Sequence, residues 1–142
     1  METNEISVSV IVPVFQAANH IQSCILSLQD QTLKNIEMIF VDDYTPDHSC
    51  TLIQEAAKKD NRIKLLHNIN HRGAGPCRND GIIKANGQYV SFVDADDTIA
   101  PDFLERLYQK AIQEDLDVVK GCMSYPDKGE YIINPKMNTQ IQ

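Results

Sequence analysis

The chain has 142 residues, enough for one domain whose core needs no metal or disulfide staple, and too few for a second full domain. Its 13 basic and 20 acidic side chains leave a formal charge of −7, which excludes a nucleic-acid or membrane-surface binder working through bulk positive charge. Cys24, Cys50, Cys77 and Cys122 lie far apart with no C-x-x-C pair, so they read as free thiols of a reducing cytoplasm and not as a zinc site or disulfide framework. Residues 1–5 are polar and acidic, and no run approaches the ~20 apolar residues of a spanning helix, so no membrane span is expected.

Residues 6–12 are β-branched and continuous, which predicts a central strand that Pro13 ends by removing a backbone donor. Between residues 17 and 30, Ile21, Cys24, Ile25 and Leu28 recur at helical spacing and form one apolar face. A second strand, residues 37–41, is followed by an amphipathic helix carrying Leu52, Ile53, Ala56 and Ala57, and then by a third strand at residues 63–67. A polar, glycine-bearing loop over residues 68–76 leads to a short helix at about 79–85, which Asn86-Gly87 is expected to stop in a left-handed cap. The fourth strand spans residues 88–93. After it, Asp102 and Glu105 have capping-box spacing ahead of a helix with Phe103, Leu104, Leu107, Tyr108, Ala111 and Ile112 on its core face. Residues 116–120 read as a fifth strand.

This alternation predicts an α/β fold: a mostly parallel open sheet with helices on both faces. There is no internal repeat or low-complexity segment. Residues 1–121 form the core in this reading. Residues 122–142 read as the start of a truncated C-terminal part, with a hairpin around Asp127-Lys128-Gly129 and a polar tail that frays.

Two acid clusters follow apolar strands directly: Asp42-Asp43 and Asp94-Ala95-Asp96-Asp97. Parallel strands present their C-terminal ends on one edge, where open α/β sheets bind ligands. In an extended backbone, Asp94 and Asp96 project to the same side while Asp97 points away. Two such carboxylates repel unless a proton or cation intervenes. Hard oxygen ligands favour Mg²⁺ or Mn²⁺, which in turn hold phosphates. The plainer alternative is a polar loop that caps the next helix. Near the first cluster, Asp47 is expected to cap its helix, and Asp43 could accept the N3 proton of a nucleobase such as uracil.

The stretch around Gly73-Ala74-Gly75 starts like a dinucleotide fingerprint, but Arg78 stands where the third glycine belongs and the stretch follows the third strand rather than the first. It reads better as a loop that brings Arg72 or Arg78 to a nucleotide, or as one that leaves an arginine in a surface ion pair.

The segments V-S-V-I-V-P-V-F (8–15), V-D-D-Y-T-P-D (41–47), G-A-G-P-C-R-N-D-G (73–81), A-N-G-Q-Y-V-S-F-V-D-A-D-D (85–97) and P-D-F-L-E (101–105) together resemble the nucleotide-binding half of family 2 glycosyltransferases of the Rossmann-like GT-A fold. The resemblance covers about residues 6–121. It implies that Pro13 and Val14 lie beside a nucleobase and that Asp43, with Asp42, reads its uracil edge. Arg78 matches the family's arginine, its partner being the base, the diphosphate or a structural carboxylate. Asp94 would meet ribose or metal, Ala95 lies between the acids, and Asp96 would coordinate Mn²⁺ or Mg²⁺. Tyr44 departs from the family's usual glycine, so either the turn differs or the ring packs near the base. Pro76-Cys77 replace a pair of small residues before the arginine.

The implied activity is metal-dependent, inverting transfer from a nucleotide sugar, as expected a UDP-sugar, to a hydroxyl of a glycan or lipid-linked acceptor. Bacterial surface-glycan synthesis in the cytoplasm, peripheral to the inner face of the membrane, is the implied setting. The family's catalytic base lies in a C-terminal half beyond Gln142, so this chain is expected to bind donor and metal but to transfer poorly. Two other readings stand beside this one. A non-catalytic nucleotide-sugar module needs no base. A phosphoacceptor receiver domain could use Asp42-Asp43, Asp94 and Lys120, but its acidic pair should follow the first strand.

Overall fold

A computed structural model describes residues 5–121. Four strands, β1 (Val8–Val14), β2 (Ile36–Asp42), β3 (Ile63–His67) and β4 (Tyr89–Phe92), form one all-parallel sheet in the order β3-β2-β1-β4. Four helices alternate with them: α1 (Ile21–Gln29), α2 (Ser49–Ala57), α3 (Ala74–Lys84) and α4 (Phe103–Glu114). The expected hairpin and tail after residue 121 lie outside the described residues.

Paired residues of parallel neighbours share a face, so the register sorts the core into two layers. Val10, Met38 and Ile63 form one row, and Val12, Phe40 and Leu65 the next. Those rows pack against Ile21, Cys24, Ile25 and Leu28 of α1, Ile53 of α2 and Leu104 of α4. Phe40 is fully buried at the centre, a burial contributing on the order of 1.5–3 kcal/mol. The opposite face carries Ile11, Ile39 and Val41 against Cys77 of α3. With helices on both sides, β1 and β2 are buried along their length, which is why they read as continuous apolar runs.

β1 is longer than expected, because Pro13 sits inside it. Val14 accepts a hydrogen bond from the Asp43 amide of the β2 side, and Ile11 accepts one from the Val93 amide on the β4 side. By that alternation Pro13 faces β4, past its last residue Phe92, where no ladder donor is needed.

Glu37 and Ser9 share the α3 face near the start of the strands. Ser9 Oγ donates to Glu37 Oε1 at 2.5 Å, Asn86 N donates to the same oxygen at 2.6 Å, and Lys64 Nζ stands 2.5 Å from Oε2. The turn at residues 86–87 is thereby tied to β1, β2 and β3. No left-handed cap ends α3: Ala85 is extended, with φ −69° and ψ 135°. Glycine at 87 answers a close approach instead, since a Cβ there would stand 2.5 Å from the Ser9 backbone nitrogen.

Two further expectations are corrected. Residues 116–120 form no strand. Asp115, in the left-handed region at φ 53°, ends α4, the Leu116 amide donates to Ala111, and its carbonyl accepts the Tyr89 hydroxyl. The segment is thus committed to closing the helix before it can extend, and Val118 is left 80% exposed. The capping box is also absent: Asp102 makes no side-chain cap, and Glu105 accepts from Thr32 Oγ1 at 2.6 Å.

Candidate functional site

The strand order reverses its winding direction between β1 and β4, and a cleft of about 510 Å³ opens there at the C-terminal ends of the strands. Pro13 to Ala17 supply one wall, Asp94, Ala95 and Asp96 a second, and Asp43, His71 and Gly73 a third. A hollow of about 620 Å³ on the β3 edge holds none of the acids that follow β4.

Residues 94–97 form a turn and not an extended run, since the Asp97 amide donates to the Asp94 carbonyl at 3.0 Å. The expectation that Asp97 points away is corrected by this turn. Carboxylate oxygens of Asp94, Asp96 and Asp97 lie within 4.8 Å of one another, and all three side chains are exposed. Burial, then the neighbouring Asp96 and Asp94 charges, push the Asp97 carboxyl above its ordinary value. Such crowding of hard oxygens suits Mg²⁺ or Mn²⁺, with open positions left for water and phosphate oxygens. Ala95 turns its methyl into the core, so its backbone is what it offers the cleft.

Arg78, on the second turn of α3, reaches Asp94: Nη2 stands 3.1 Å from Oδ1. Of the partners left open for this arginine, the carboxylate is the one observed. The expected helix is longer than its sequence signal, starting at Ala74 directly after Gly73, whose φ of 94° favours glycine.

The pair Asp42-Asp43 is split by the strand alternation. Asp43 points to the α3 face and is 2% exposed. Its Oδ1 accepts from the Arg72 amide and its Oδ2 from the Gly73 amide, both at 2.8 Å, and His71 Nδ1 lies 2.7 Å from Oδ2. Burial alone would raise its pKa. The amides of Arg72 and Gly73, with the Cys77 thiol and the Asn68 amide group, outweigh it and hold the carboxyl below its ordinary value. Asp43 is therefore an ionised anchor for the loop that starts α3. His71, which sequence reasoning missed, stacks on Phe15 with ring centroids 4.1 Å apart and an interplanar angle of 35°. A histidine beside a glycine loop carried no signal of its own, because its partners, Phe15 and Asp43, come from the residues just after β1 and β2.

Asp42 points to the opposite face, does not line the cleft, and accepts from the Thr45 amide at 2.8 Å. Tyr44 keeps the backbone that glycine would adopt, at φ 60°, and the residue is 63% exposed. Beyond it, Asp47 Oδ1 accepts from the Ser49 amide and hydroxyl and from Thr45 Oγ1, while Oδ2 accepts from the Ala18 amide. Burial raises the Asp47 pKa, but those donors, Ser49 foremost, carry it down to about 2. Asp47 thus anchors α2 as expected, from the residue before the N-cap His48, and also ties α2 to the loop after β1.

A four-stranded parallel sheet with acids at its C-terminal edge and a cleft at the switch point defines a doubly wound α/β domain. The chain belongs to glycosyl transferase family 2, whose family model matches residues 9–141, reaching past the stretch covered by the sequence resemblance. It is 42% identical over 123 residues to EpsJ, an uncharacterized glycosyltransferase of Bacillus subtilis, covering 87% of this chain and 35% of that protein. The putative glycosyltransferase EpsH of the same organism is 39% identical over 125 residues, covering 87% of this chain and 36% of that one. Among solved structures, S. aureus TarS in complex with UDP-GlcNAc matches with a TM-score of 0.72 at 28% identity, over 77% of this chain and 32% of TarS. The chain therefore spans about a third of the length of these relatives, and its fold is the GT-A nucleotide-binding half.

Proposed function

We propose that the cleft binds a nucleotide-sugar donor, with UDP as the nucleotide, and a divalent cation, as the donor half of an inverting glycosyltransferase. The observation that carries this reading is that one cleft is lined both by the exposed carboxylates of Asp94 and Asp96, with Asp97 within 4.8 Å of them, and by the Phe15–His71 ring pair. The acids suit a cation and a diphosphate; the rings suit a planar base. The UDP-GlcNAc complex of TarS supports the choice of nucleotide.

In this reading Asp96 and Asp94 hold Mn²⁺ or Mg²⁺, which when bound supplies Lewis-acid stabilisation of charge on a departing diphosphate. Pro13 and Val14 flank the base with backbone groups. Asp43 acts at the uracil edge through the loop it anchors and through His71. Asp42 contributes by fixing the turn at Thr45, and Arg78 by orienting Asp94. Ala95 offers its backbone between the two acids.

An inverting transfer also needs a base for the acceptor proton. Among the described residues that line the cleft, the acids are Asp43, Asp94 and Asp96, and each has another task. We assign none of them as base, and expect this chain to bind donor better than it transfers sugar to a glycan or lipid-linked acceptor. A radiolabelled UDP-sugar assay should detect bound donor with little product; turnover comparable with a full-length relative would contradict the assignment. No described helix is long and apolar enough to cross a membrane.

A further inference from the structure

On the face of the sheet away from α3, the rows that run Val10, Met38, Ile63 and Val12, Phe40, Leu65 continue to a third row: Val14, Asp42 and His67. Two residues of that row are polar, and they sit under the first turn of α2, which contributes Cys50. One ligand atom from each of Asp42, Cys50 and His67 lies within 4.8 Å of the others, with His67 Nδ1 3.0 Å from Asp42 Oδ2. Tetrahedral ligands at about 2.0–2.3 Å from a zinc ion stand roughly 3.3–3.8 Å apart, so small side-chain adjustments would close the set.

We propose that Asp42, Cys50 and His67 form a binding site for one thiophilic divalent cation of the zinc class, separate from the all-oxygen cluster after β4. The donor set is one sulfur, one nitrogen and one oxygen, which suits zinc and does not suit magnesium. The oxygen ligand is already oriented: Asp42 is 7% exposed and its other oxygen is held by the Thr45 amide, the kind of outer contact that fixes a ligating carboxylate. Half of the His67 side chain remains exposed, which leaves the fourth position to water. On binding, the Cys50 thiol releases its proton to solvent and the thiolate takes its place on the metal.

Cysteine spacing along the chain hid this arrangement, because its three ligands come from three different elements. Its consequence follows from the topology. Asp42 is the last residue of β2 and His67 the last of β3, so one ion would tie together the starts of both loops that frame the donor cleft.

Titration of the purified chain with Co²⁺ alone, read by absorption, tests the site. The thiolate-to-cobalt charge-transfer band and the tetrahedral d–d bands should saturate at one equivalent and be displaced by Zn²⁺. Cys50→Ser should abolish the charge-transfer band, and His67→Ala should weaken binding by at least about tenfold, as loss of one of three ligands does in the same free-energy scale. Asp96→Ala should leave the band intact. Zn²⁺ should raise the Tm of the parent by roughly 3–8 °C and leave Cys50→Ser unchanged. No stoichiometric thiolate band in the parent overturns the site outright, leaving a histidine–aspartate contact and a thiol; so does a band that survives in Cys50→Ser.

Discussion

His71 Nδ1 stands 2.7 Å from Asp43 Oδ2, and the same ring lies on Phe15 at 4.1 Å. A buried carboxylate just after β2 thereby fixes both the loop ahead of α3 and an aromatic wall of the cleft. Two backbone donors, Arg72 N and Gly73 N, also bind it, beside the Cys77 thiol and the Asn68 amide group.

Asp43→Asn should be costlier than its size suggests. An amide offers one acceptor oxygen, and its NH₂ group would meet either the Arg72 or the Gly73 donor. Urea denaturation should show a loss of about 1–3 kcal/mol, from setting a buried NH₂ group against a backbone donor. His71→Ala removes the ring from an exposed wall, so stability should change by less than about 1 kcal/mol while UDP binding weakens by about tenfold or less, the worth of one stacking contact. Equal UDP affinity in His71→Ala would remove that ring from the site.

Acid should unfold the domain through groups at both ends of the sheet. Burial raises the Glu37 pKa, but hydrogen bonds from Lys64, Ser9 and Asn86 carry it from the ordinary 4.5 down to about 2. Asp47 falls from 3.8 to about 2. Both pKa values are depressed by folding, so their stabilisation is fully present above about 4.5 and is lost as pH falls toward about 2. Tm measured across that window should drop steeply, and Glu37→Gln should flatten part of the slope while lowering Tm at neutral pH. A Glu37→Gln profile parallel to that of the parent would contradict the linkage.

α3 packs on β1 through Gly81. A Cβ at that position would stand 2.5 Å from Ile11 Cγ2. Gly81→Ala must push either the helix or the fully buried Ile11, at a cost of about 1–3 kcal/mol despite the better helix propensity of alanine. Gly81→Ala with Ile11→Ala, which removes both γ carbons, should cost less in chemical denaturation than the sum of the two single variants; a neutral or stabilising Gly81→Ala would contradict the close packing.

Tyr44 occupies the left-handed region at φ 60°, with no ring contact to the cleft. Relief of strain worth about 1–2 kcal/mol is partly cancelled by the greater unfolded-state freedom of glycine. Tyr44→Gly should therefore raise stability by up to about 1 kcal/mol and leave UDP affinity unchanged. A marked fall in affinity would instead put the ring beside the base.

What could be read from the chain divides along physical lines. The strands, the apolar face of α1 and the position of the acids were legible because each depends on local periodicity: Ile21, Cys24, Ile25 and Leu28 are all buried. Pro13 was misjudged because its tolerance depends on β4 ending at Phe92, which no local pattern reveals. Residues 116–120 have strand propensity but lost their first amide to the cap of α4. The separate fates of Asp42 and Asp43 follow from strand alternation, which the sequence carries, yet their partners, His67, Thr45, His71 and the amides of Arg72 and Gly73, come from distant segments. Arg78 is similar: its residue type was legible, and its carboxylate partner, 16 positions away, was not.

The claim that the cleft is a metal-dependent nucleotide site is tested most directly by calorimetric titration of the chain with UDP, with and without Mn²⁺, alongside Asp96→Ala. Binding that requires Mn²⁺ in the parent and weakens at least about tenfold in Asp96→Ala is the predicted result. Absence of binding, or binding equally strong without the ion and in the variant, would contradict it.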